Sequence, residues 1–189
     1  MPVTVEPSTF TMVDFDADRI AELGAELAAK AGIADDVPVR IEVDERTPLA
    51  GAELVSHDPV VHVRVESGAL ESTKRIRQLD DDTAADALGR MLLRAADRRR
   101  SDFADAPADS DLTVPQRTTW DVYAVGRIAR MGYPVRRQRY LYAFRNRHGF
   151  TDAADGAFEE LWSGDDLSWA DLDRLSETTA QSNPGALAG

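Results

Sequence analysis

Asp86-Ala87-Leu88-Gly89-Arg90 is the stretch whose reading decides the fold. It lies inside a helix predicted over about 82–100, with Ala85, Leu88, Leu92 and Ala95 along one apolar stripe. Asp80-Asp81-Asp82-Thr83 marks the start, placing carboxylates against the positive end of the helix dipole. Arg98-Arg99-Arg100 suits the opposite end. Asp86 and Arg90 stand four residues apart with the acid first, the favourable order for an ion pair within a helix.

Upstream of this helix the pattern changes from period 3.6 to period 2. Residues 1–13 are strand-like, with Pro2 and Pro7 excluding a helix. A helix over about 16–31 follows, capped by Asp16 and ended by Gly32. Residues 38–43 alternate with Val39, Ile41 and Val43 on one face, and residues 60–66 alternate with Val61, Val63 and Val65 inward. A short strand over 52–56 makes a hairpin with the latter, and Ser67-Gly68-Ala69-Leu70 turns into a short helix. Downstream, 101–113 reads as a polar loop. Helices are predicted over about 116–131, 135–147, 152–162 and 168–179. The expected architecture is α+β: a small N-terminal mixed or antiparallel sheet with a mainly helical C-terminal half. It forms one domain over 1–180, with a disordered tail over 181–189.

The chain has 189 residues and a net charge of −12. That charge argues against a protein that coats DNA or an anionic membrane. It is unevenly placed: between Lys74 and Arg147 there are 16 basic and 10 acidic residues, a locally positive stretch. The absence of cysteine excludes disulfides, thiolate metal sites and thiol nucleophiles. Neither a secretory leader nor an apolar run of membrane-spanning length is read, so the expected location is cytoplasmic.

Residues 60–147 resemble the zincin-type metallopeptidases, particularly the compact gluzincin-like bacterial kind. The strand 60–66, the Ser67–Leu70 turn, the acidic helix start and Asp86–Arg90 follow in that family's order. Arg117-Thr118-Thr119-Trp120-Asp121 sits where the family has a second helix of the Glu-x-x-Ala-Asp kind, and Arg130-Met131-Gly132-Tyr133-Pro134 is similar to that helix's ending. The resemblance implies a zincin-like fold whose chemistry has been lost. The two His ligands fall on Asp86 and Arg90, the general-base Glu on Ala87 and the third ligand on Arg117. Only Asp121, a ligand-orienting position in the family, keeps its type. Zinc requires three ligands with lone pairs and an open fourth position, and a guanidinium has none to give. No catalytic residue, metal or cofactor is therefore expected. An Asp86–Arg90–Arg117 cluster is expected to fill the place of the metal.

The function this implies is non-catalytic: binding or regulation, with a peptide or protein in the degenerate cleft. A hydrolase with another site is the alternative, as is an adaptor for an acidic partner or nucleic acid on the Arg-rich helices 127–147. Seven Arg interleave there with Tyr133, Tyr140, Tyr142 and Phe144. This pattern is read first as a helical hairpin with aromatics inward and Arg outward, so nucleic acid is not the expected partner. His57 and His62 read as exposed residues of a turn and a strand, and His148 as the end of a helix. The acid pairs Asp35-Asp36, Asp81-Asp82 and Asp165-Asp166 read as caps.

Overall fold

The computed structural model describes residues 1–181 and shows a mixed α and β chain with two compact units, Met1–Arg99 and Arg100 onward. The expected domain 1–180 comprises both. Beyond Gln181, the expected tail lies outside the described residues.

The first unit is a four-stranded mixed sheet with two helices. Its strands are β1 (Val3–Glu6), β2 (Val39–Asp44), β3 (Ala52–Ser56) and β4 (Val61–Glu66), in the order β1-β2-β4-β3. β1 and β2 pair in parallel, as do β2 and β4, while β3 runs antiparallel to β4 at the edge. A parallel pair cannot be closed by a tight turn. α1 (Ala17–Lys30) supplies the β1–β2 crossover, and the β3 excursion supplies the one between β2 and β4. Asp16 caps α1 by accepting from the backbone N–H of Asp18 and Arg19, and Gly32 follows its end at φ 79°.

The alternation read from the sequence is the burial pattern observed. Val39, Ile41, Val43, Val61, Val63 and Val65 are all buried. On the opposite face the parallel register sets Glu42 beside Arg64. The Glu42 carboxylate accepts from Arg64 Nε at 3.2 Å and meets His62 Nε2 at 3.0 Å. The Arg64 hydrogen bond is the main reason its pKa lies below the ordinary range. The 3-10 turn Ser67–Ala69 ends the sheet, and Leu70 behind it is fully buried. α2 (Asp81–Arg98) then packs on α1, β3 and β4.

The second unit is helical: α3 (Val114–Arg130), α4 (Arg137–His148), α5 (Asp152–Ser163) and α6 (Trp169–Gln181). A reciprocal capping box starts α3. Thr113 accepts from Gln116 N–H, and the Gln116 side chain accepts from Thr113 N–H. Gly132, at φ 92°, ends the same helix as expected. Trp120, Tyr123, Phe144, Phe158 and Leu161 form the centre of the core. The loop 101–113 is less polar in effect than its composition: Phe103 and Leu112 turn inward, and the Phe103 ring meets Trp120 at 5.2 Å.

α3 and α5 cross in close contact because residue 126 is glycine. A Cβ placed there would stand 2.2 Å from the Trp162 carbonyl oxygen. Arg130 fastens the same crossing by donating to the carbonyls of Trp162 and Gly164 and to the Asp165 carboxylate. These bonds satisfy carbonyls that the end of α5 leaves open. No helix among the described residues is long and apolar enough to cross a membrane.

Candidate functional site

The candidate site is built on α2. Asp80 caps it, its carboxylate accepting from both the N–H and the hydroxyl of Thr83 at 2.9 and 2.8 Å. The helix is then buried on most of its surface, by Ala84, Ala85, Ala87, Leu88, Met91, Leu92, Leu93 and Ala95. Such a helix is a core element, so a polar residue on it occupies a costly position. Four of its buried residues are alanines, and Gly89 is buried among them.

Asp86 and Arg90 are half-buried, with side chains 22% and 18% exposed, and Arg90 Nε donates to Asp86 Oδ1 at 3.2 Å. The local pairing expected from their spacing is therefore present. Ala87 beside them is buried and presents only a methyl group. Arg117 is an exposed residue of α3, and its guanidinium donates to the Asp109 carbonyl at 2.9 Å. Asp121 lies one turn further along α3 and is half-buried. Asp86, Ala87 and Arg90 thus belong to the first unit, and Arg117 and Asp121 to the second. Of the cluster expected at the metal position, the bond described is Asp86–Arg90.

The resemblance implies zinc, and the donor set does not fit it. The Asp86 carboxylate is held by a guanidinium, and the neighbouring Ala87 has no donor atom. Among the described residues, no group of three or more His, Cys, Asp or Glu side chains could hold a metal ion.

The histidines divide three ways. His57 lines an open hollow of about 300 Å³ with Asp58, Arg98 and Arg99, where Arg99 donates to the His57 carbonyl at 2.7 Å. His62 belongs to the Glu42 cluster on the sheet. His148 ends α4 as expected, yet its side chain is fully buried. Its ring stacks on Phe144 at 4.0 Å between centroids and meets the Thr119 hydroxyl at 3.3 Å. Burial lowers its pKa to about 4, so it is a neutral core residue. The i, i+4 spacing of Phe144 and His148 is the one local signal that could have disclosed this. Among the acid pairs, Asp81 opens α2 and binds Arg19 of α1 at 2.7 Å, while Asp165 binds Arg130. No family model matches the chain, and no curated protein or solved structure matches it.

Proposed function

We propose that this chain is a non-catalytic binding protein on a zincin-like scaffold, with its partner a peptide or protein held at the former site. The observation that carries the reading is the Asp86–Arg90 bond, which joins the two positions to which the resemblance assigns zinc ligands. The order of strand, 3-10 turn, acidic cap and buried helix supports the same assignment. The side-chain chemistry favours closure over metal binding. Arg90 has no lone pair to give a metal, and its hydrogen bond occupies the Asp86 carboxylate that could otherwise coordinate one. Ala87, at the position the resemblance gives to the general base, has no group that can take a proton from an attacking water.

Elemental analysis of protein purified from zinc-supplemented medium tests this reading. The expected result is substoichiometric zinc and a melting temperature indifferent to a chelator. Equimolar zinc, released only by chelation together with a loss of stability, overturns the proposal. Peptides selected from a random library on the immobilised chain are expected to bind more weakly to Arg90→Glu.

A further inference from the structure

The seven arginines of 127–147 do not share one role. Arg127 lies over the Tyr123 ring at 3.9 Å, and Arg130 closes the end of α5. Arg137 binds Glu159 and covers the Phe158 and Trp162 rings. Arg145 makes a two-pronged pair with Asp155, at 2.7 and 2.6 Å. Arg130, Arg137 and Arg145 hold helices together, while Arg127 packs on a ring of its own helix. Arg136, Arg139 and Arg147 are different: all three are exposed, and none makes an ion pair among the described residues.

The same helix and the residues just after it carry two aromatic rings that are not packed inward. Tyr142 is 62% exposed and Phe150 64% exposed, against an expectation that the aromatics of this stretch face the core. The rings meet edge to face at 6.1 Å. Arg139, Tyr142, Ala143, Asn146 and Arg147 follow at the spacings that share one face of α4. From Arg136 to Arg147 the face is about 16 Å long at the rise of an α-helix. No Asp or Glu occurs anywhere from Val122 to Thr151, in a chain with 34 of them. A solvated surface of this protein would carry carboxylates, and this one carries guanidinium groups and rings with only Ala143 and Asn146 between them.

We infer that the outer face of α4, with Phe150, is a docking surface for single-stranded nucleic acid. Phosphates would pair with Arg136, Arg139 and Arg147 while unpaired bases stack on Tyr142 and Phe150. Guanidinium groups suit phosphate oxygens, and an exposed ring accepts any base. Duplexes keep their base faces inside the stack and cannot use the rings. An acidic peptide would satisfy the cations, but its apolar anchors bind best in enclosed pockets, and these rings stand out from the outer face of a helix. The net charge of −12 opposes approach from a distance. Within a Debye length of about 8 Å at physiological salt, the face is governed by its own cations. This inference is independent of the reading of α2.

Fluorescence anisotropy tests it, using the full chain, a labelled oligothymidylate of roughly 20 nucleotides and a labelled polyglutamate of similar charge. Binding to the oligonucleotide is expected, with log K falling against log salt at a slope of about −2 for three phosphate contacts. Arg139→Glu/Arg147→Glu should weaken it at least about tenfold and flatten the slope. Tyr142→Ala should weaken it about tenfold with the slope unchanged. These side chains are exposed, so circular dichroism should show all variants folded. Absence of oligonucleotide binding at low salt overturns the inference. So does polyglutamate binding of equal strength that Tyr142→Ala leaves intact, which would assign the face to acidic peptides.

Discussion

Gly126→Ala tests whether the α3–α5 crossing is as close as the structure shows. The added methyl would stand 2.2 Å from the Trp162 carbonyl oxygen and 2.9 Å from that residue's carbonyl carbon and Cα. These are backbone atoms, so no rotamer change relieves the contact. Carbon normally approaches a carbonyl oxygen to about 3.3 Å, so the helices must separate by about 1 Å. Overpacking of this kind costs about 1–3 kcal/mol. Separation also loosens the bonds from Arg130 to the end of α5, worth about 1 kcal/mol each. Against this, alanine favours a helix interior over glycine by about 1 kcal/mol. The clash wins, and a net loss of about 2–3 kcal/mol is expected. With a urea m-value of about 2 kcal/mol/M, the midpoint should fall by about 1–1.5 M. Gly156→Ala is the matched control, because its added methyl meets nothing within 4 Å and the residue lies inside α5. It should gain about 0.5–1 kcal/mol from propensity alone. A Gly126→Ala protein within about 0.5 kcal/mol of the parent would refute the crossing geometry.

Two further outcomes follow from the charged and titrating groups. A double-mutant cycle with Asp86→Ala and Arg90→Ala should return a coupling of about 0.5–1 kcal/mol, above a fully exposed pair because both side chains are half-buried; a coupling near zero would mean that the pair does not close the site. The folded pKa of His148, about 4, lies below its ordinary value of 6.5, so its contribution is complete above pH 6.5 and falls away as pH drops toward 4, because the unfolded chain takes up the proton first. Urea midpoints should record a loss of about 2 kcal/mol between pH 7 and pH 5, above the range where most carboxylates titrate, and His148→Gln should remove that slope; an equal slope in the variant would assign it elsewhere.

What was legible beforehand follows from how local each interaction is. The caps Asp16 and Asp80 bond to N–H groups two or three residues away, so residue type and position were enough to place those two helix starts. Asp86–Arg90 was legible for the same reason, being one helical turn long. The alternation of β2 and β4 disclosed which face is buried, but a period of two does not encode the neighbour. The parallel pairing of β1, β2 and β4 depends on how α1 and β3 carry the chain back.

The Arg-rich stretch shows the same limit at the level of function. Arg130 finds Asp165 across 35 residues, and Arg137 finds Glu159 across 22, so their structural roles exist only once α5 is in place. Arg139 and Arg147 look the same in sequence, and they differ because no carboxylate among the described residues pairs with them. A count of arginines therefore cannot separate fasteners from a binding surface. Subtracting those already paired can, and the remainder is Arg136, Arg139 and Arg147 in the stretch that also carries two outward rings. The same subtraction applied to α2 gives the opposite result. Its half-buried Arg90 is tied to a carboxylate on its own helix, whereas Arg139 and Arg147 of α4 make no ion pair among the described residues.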